Sequence, residues 1–172
     1  LVRDGVVVGR GFHEAYGAAH AEVNAIADAG TAASGADLYV TLEPCCVWGN
    51  TPPCTEAIIA SGATRVAVGV ADPDPRVSGR GITALREAGI EVETGVEQPS
   101  AEALDPGYFH HHRTGRPFFT LKVAATLDGQ VAAADGTSKW ISSEESRRDG
   151  HVLRSRSDGV MVGAGTVISD DP

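Results

Sequence analysis

Apolar and polar positions alternate between two periods along this chain, and each period predicts a different element. Val6 to Gly11 reads as a short strand after the turn at Asp4-Gly5. Ala21 to Ala29 carries Ala21, Val23, Ala25, Ile26 and Ala29 at helical spacing, with Gly30 placed to end the helix. Leu38 to Leu42 is a compact apolar strand that runs into Glu43-Pro44, followed by a loop with Gly49 and Asn50. Pro52-Pro53 leads into a helix from about Cys54 to Ser61, closed by Gly62. Arg65 to Val70 is a buried strand, Asp72 to Arg80 a Pro- and Gly-rich loop, Ile82 to Ala88 a helix, and Ile90 to Thr94 a further strand. Strand–helix alternation of this kind predicts a three-layer α/β/α domain with a mixed sheet, closing near residue 97.

Gln98 to Gly107 contains Pro99 and Pro106 and reads as a connector, which extends to residue 116. A second pattern starts at 117. Phe118 to Ala125 reads as a strand, Ser142 to Ser155 as a helix with Ser142 and Glu145 as a capping box, and Gly159 to Val162 as a strand running into Gly163-Ala164-Gly165-Thr166. Residues 117–172 are thus expected to be the start of a second α/β domain, too short to complete one. Both ends of the chain read as cut, with an edge strand or helix missing at the front.

Composition narrows the function classes. The net charge of −9 argues against nucleic acid as a partner, since tracking phosphates needs clustered Lys and Arg. No apolar run approaches the roughly 18–20 residues that cross a bilayer. With no basic-then-apolar leader either, the expected location is the cytoplasm, away from membranes. The 3 cysteines, Cys45, Cys46 and Cys54, cluster in one stretch. In such a chain they suggest metal or catalytic chemistry before disulfides.

His20-Ala21-Glu22 supplies the complement. A catalytic zinc takes three protein ligands and keeps a position open for water. One imidazole (His20) and two thiolates (Cys45, Cys54) meet that need. Glu22, two residues after His20, is badly placed as a fourth ligand and well placed to move protons. One His and two Cys on Zn2+ with a free Glu is the set that strips amines from nucleobases by hydrolysis. A His-x-Glu pair alone carries little weight. Two cysteines at this spacing also suit a structural site, although such a site usually has a fourth Cys or His. His13 is the best rival ligand among the other histidines, and Cys46 competes with Cys45.

With these residues identified, the chain closely resembles the bifunctional riboflavin-biosynthesis deaminase–reductase family. Thr41-Leu42-Glu43-Pro44-Cys45 followed by Gly49-Asn50-Thr51-Pro52-Pro53-Cys54 is similar to that family's widely spaced cysteine motif. Asp72-Pro73-Asp74-Pro75 with Val77 and Gly79-Arg80-Gly81-Ile82 resembles its next signature. The resemblance implies a cytidine-deaminase-like first domain in which His20, Cys45 and Cys54 bind zinc and Glu22 is catalytic. It also implies a diaminopyrimidinone phosphoribosylamine as substrate. The chain departs from the family pattern at Cys46-Val47, Asn50 and Asp74. The first two departures remove a His and an Arg that could contact substrate.

Further on, Arg113-Thr114-Gly115-Arg116-Pro117, Leu127-Asp128-Gly129 and Ser138-Lys139-Trp140-Ile141-Ser142 resemble the opening of the family's reductase domain. That domain is dihydrofolate-reductase-like and uses NADPH. By this resemblance Ala124, Trp140, Thr166 and Asp170 match cofactor positions, and Ser138 and Arg154 match substrate positions. If residue 172 ended the protein, no reductase turnover would be expected. Deaminases of this layered type often associate, so a homo-oligomer is an expected partner. Two alternatives stay open: a deaminase of another base or nucleoside, of guanine or cytidine type, and an inactive zinc-binding fragment.

Overall fold

The computed structural model describes residues 1–170, in two compact units, Leu1–Phe118 and a second from Phe119 onward. In the first, five strands form one sheet: β1 (Val2–Arg3), β2 (Val6–Val7), β3 (Asp37–Leu42), β4 (Arg65–Val70) and β5 (Glu91–Thr94), in the order β2-β1-β3-β4-β5. The hairpin β1–β2 turns at Asp4 and Gly5, both at positive φ, and β1 lies antiparallel to β3. β3, β4 and β5 run parallel, with Leu38 opposite Val66 and Val66 opposite Val92. The sheet is therefore mixed, as expected.

Helices α1 (Ala21–Ala29), α2 (Cys54–Ser61) and α3 (Arg80–Glu87) cross over between these strands. One pleat face, bearing Leu38, Val66 and Val68, joins Ala25, Ile58 and Leu85 in a single apolar core. Side chains alternate in and out along a strand, so Tyr39, Thr41, Ala67 and Gly69 face the other side. There Gly69 has no room for a side chain. A Cβ would stand 2.8 Å from the Cβ of Ala101 on α4 (Gln98–Glu102) and 2.7 Å from the Thr41 carbonyl oxygen.

Several local expectations are corrected. The segment read as a strand from Val6 to Gly11 is ladder-paired only at Val6–Val7. Beyond it the backbone lies along α1, where a Cβ on Gly11 would come within 2.2 Å of the Ala21 carbonyl oxygen. The stretch read as a connector is helical: α4 is followed by α5 (Pro106–Thr114), capped by the Asp105 carboxylate, which accepts from the Tyr108 N–H. Ala101 and Phe109 pack with Val70 in a second small core, burying this segment on the sheet. Its prolines stand in the first turns, where a missing N–H costs no hydrogen bond.

Within the second unit, α6 (Glu144–Ser155) and α7 (Ala164–Asp170) form, and the remainder is turns and irregular chain. Ser143, not Ser142, caps α6, accepting from the Ser146 N–H. Phe118–Ala125 and Gly159–Val162, expected as strands, are not strands. A strand exists only with a hydrogen-bonding neighbour, and the described residues of this unit supply none. No helix among the described residues is long and apolar enough to cross a membrane.

Candidate metal centre

Three element ends converge at the C-terminal edge of the parallel strands. His20 sits at the N-cap of α1 in extended conformation, with Glu22 in the first turn behind it. Cys54 opens α2, where Pro53 in extended conformation turns the chain into the helix. Cys45 follows β3 by a short turn through Glu43 and Pro44. Such edges, where loops leave a parallel sheet beside helix N-termini, are where open α/β folds place ligands.

The distances suit a metal. His20 Nδ1 lies 3.2 Å from Cys54 Sγ and 3.6 Å from Cys45 Sγ. All three donor atoms fall within 4.8 Å of one another. A tetrahedral zinc with bonds of about 2.1 Å to nitrogen and 2.3 Å to sulfur needs donor separations of roughly 3.6–3.8 Å. The donor chemistry and spacing thus fit zinc. Among the described residues this is the one His/Cys/Asp/Glu group so arranged. His13 donates no ligand atom to it; its ring meets His20 edge-on at 5.3 Å, and its Nδ1 lies 3.1 Å from the Ala19 carbonyl oxygen. Cys46 turns away, its Sγ 3.9 Å from the Arg76 carbonyl oxygen.

The electrostatics favour a thiolate. The Cys54 N–H, first of the α2 amides, points at Cys45 Sγ at 3.3 Å. The helix mouth therefore serves Cys45 as well as carrying Cys54. The Cys54 thiol pulls Cys45 down to about 5, assisted by that N–H and His20 and opposed by burial. Cys54 is pushed up in turn, by Cys45 first and burial second. The buried Glu22 carboxyl is raised, chiefly by loss of solvent, and is within range of Cys45, His20 and Cys54.

A residue that lies in the cysteine motif, with no role expected of it there, completes the surroundings. Glu43, 3% exposed, spreads its carboxylate over three backbone N–H groups: Asp72 at 3.1 Å and Gly79 at 2.9 Å on Oε2, Ile82 at 3.1 Å on Oε1. Buried Asp72 accepts from the Tyr108 hydroxyl at 2.7 Å and the Asp74 N–H at 2.8 Å. That hydroxyl is held above its ordinary range, first by burial and then by Asp72. A glutamate just before Pro-Cys at the end of an apolar strand was the available signal. A strand end is usually solvated, so nothing in the pattern predicted burial.

Asp74 is paired to Arg76, whose Nε and Nη2 both reach the carboxylate. This guanidinium lowers Asp74 from 3.8 to about 2. A depressed carboxylate stabilises the fold above its unfolded value, and that share is lost as pH falls through about 2. Asp74→Asn is therefore expected to lower the Tm near pH 6 by on the order of 2 °C, with the gap closing toward pH 2. Thermal melts across that range measure it; a constant gap would contradict the ion-pair origin.

The candidate residues of the second unit lie mostly at its surface. Ala124 is half-buried; Ser138, Trp140, Arg154 and Thr166 are exposed. Arg147, not Arg154, lies over the Trp140 ring, at 4.5 Å. The Asp170 side chain lies outside the described residues.

Comparison with known proteins agrees with this geometry. Residues 1–70 match the family described as the cytidine and deoxycytidylate deaminase zinc-binding region, and residues 117–172 match the RibD C-terminal domain. Riboflavin biosynthesis protein RibD of Aquifex aeolicus is 52% identical over 172 residues, all of this chain and 48% of that protein. Its counterpart in Bacillus amyloliquefaciens is 54% identical over the same span, 46% of its length. The chain belongs to the RibD family. The RibD structure from Acinetobacter baumannii aligns at a TM-score of 0.91 and 45% identity, over 99% of this chain and 48% of that one. A deaminase/reductase structure from Thermotoga maritima aligns at 0.92 and 44%, over 99% and 49%. The chain spans about half the length of the RibD relatives it matches.

Proposed function

We propose that Leu1–Phe118 is a zinc-dependent deaminase of riboflavin biosynthesis, acting on a diaminopyrimidinone phosphoribosylamine. The observation that carries this reading is the convergence of His20, Cys45 and Cys54, with buried Glu22 beside them. His20, Cys45 and Cys54 would hold the metal. Bound zinc supplies a Lewis acid that lowers the pKa of water toward about 7. Glu22 takes one proton from the attacking water and gives it to the ring nitrogen, then takes the second from the new hydroxyl and gives it to the departing amine. Burial favours the protonated carboxyl, so Glu22 is suited to return that proton. The ring carbon exchanges its bond to the amino nitrogen for one to oxygen, releasing ammonia and leaving an aminouracil.

Residues from 117 onward open the reductase half. In a chain continuing as its relatives do, NADPH would reduce the ribosyl group of the product to ribityl. Ala124, Trp140, Thr166 and Asp170 are assigned to cofactor, and Ser138 and Arg154 to substrate, on the family resemblance. The exposed Trp140 ring and Arg154 guanidinium have the chemistry for stacking on a base and pairing with phosphate.

The test measures zinc content and ammonia release from the diaminopyrimidinone phosphate, cytidine and guanine. About one zinc per chain and ammonia from the first substrate alone is the expected result. Ammonia only from cytidine or guanine would reassign the substrate, a reading that Asn50 and Val47 motivate. Zinc without ammonia from any of the three would mark an inactive zinc-binding module.

A further inference from the structure

We infer that Glu43 is a positioning residue for the metal turn: its carboxylate ties the turn bearing Cys45 to the loop from Asp72 and to the first turn of α3, at Ile82. The inference rests on His20, Cys45 and Cys54 being metal ligands. The turn Glu43-Pro44-Cys45 is held from two sides. On one, α2 grips Cys45: the Thr55 N–H donates to its carbonyl oxygen at 3.2 Å and the Cys54 N–H to its sulfur. On the other, Glu43 alone supplies side-chain acceptors, meeting the N–H groups of Asp72, Gly79 and Ile82. Its own N–H donates to Val70, extending the β3–β4 ladder one step past the strands.

The packing admits little give. Gly81 lies so close that a Cβ there would stand 2.1 Å from the Pro44 carbonyl oxygen, so the start of α3 rests directly on the turn. Removing the carboxylate leaves buried N–H groups without acceptors on the surface against which Pro44 packs. The loop must then move to find water, and the turn carrying Cys45 loses its support. A glutamine of the same shape is no substitute. Both carboxylate oxygens accept, whereas an amide presents an N–H₂ to one set of N–H donors. The requirement is for an acceptor-only group of this length.

Cobalt(II) bound to the full chain reads the position of the cysteines by its thiolate charge-transfer and ligand-field bands. We expect Glu43→Gln and Glu43→Ala to shift these bands and weaken cobalt binding by about tenfold or more, as loss of groups that orient metal ligands does. Glu43→Asp, acceptor-only on a shorter arm, recovers part of that affinity. Val66→Ala, a truncation in the core away from the turn, lowers the melting temperature and leaves bands and affinity unchanged. Glu43→Gln with the spectrum and affinity of the unaltered chain would overturn the inference, as would equal shifts in Val66→Ala. An unaltered, folded chain that binds no cobalt would overturn the metal reading and this inference with it. Cobalt binding with a Glu43-independent spectrum overturns the inference alone.

Discussion

A Glu22→Gln chain is expected to keep about one zinc and to release ammonia more slowly by about three orders of magnitude. The magnitude follows from the 10²–10⁴-fold that a positioned acid–base group contributes. Here Glu22 serves the water, the ring nitrogen and the leaving amine. Glutamine preserves the shape in a site where Glu22 is 9% exposed, but neither accepts nor returns a proton. Burial already penalises the ionised carboxylate, so neutralising it is expected to leave the Tm unchanged or slightly raised. Metal analysis, melting and single-turnover ammonia release on one preparation separate these effects. Retained turnover within tenfold would remove Glu22 from the proton path.

Cys54→Ser is expected to abolish zinc binding and, with it, the sensitivity of the fold to chelators. Cys54 is fully buried at the first turn of α2, with His20 and Cys45 against it. A serine hydroxyl does not ionise near neutral pH and gives zinc a poor third donor. A ligand that binds only the folded state stabilises it by mass action, about 3–4 kcal/mol at 100–1,000 times its Kd. The unaltered chain should therefore melt roughly 10 °C or more lower after chelation. The serine variant should melt near that lower value with or without chelator. A chelator-dependent melt in Cys54→Ser would show that the zinc sits elsewhere.

How much was legible beforehand differs from element to element. Helices Ala21–Ala29 and Cys54–Ser61 and strand Arg65–Val70 lie where their periodicity places them, because each carries its own apolar face and the helices end at Gly30 and Gly62. That His20, Cys45 and Cys54 would meet was legible because metal ligation restricts residue type so strongly that few other sets would serve. The helices at Gln98–Glu102 and Pro106–Thr114 were hidden by their prolines, which read as breaks but stand at helix starts. The strands expected at Phe118–Ala125 and Gly159–Val162 failed for another reason. β-propensity measures fit to a neighbouring strand, and the described residues offer no neighbour.

The amino-acid order alone determined most of the local elements up to Thr94 and the residue types that meet at His20, Cys45 and Cys54. Those depend on short-range geometry and on the chemistry of single side chains. Only the tertiary structure decided that the Cys54 N–H serves Cys45, that His13 packs edge-on against His20 outside the His20, Cys45 and Cys54 group, and that Glu43 is buried among three N–H groups from the segment Asp72–Ile82. The Glu43 contacts join residues 29 to 39 positions apart, and the other two join residues across the loops that lead into α1 and α2. Which distant donor meets a buried acceptor is set by how strands and helices pack, and no local pattern encodes it.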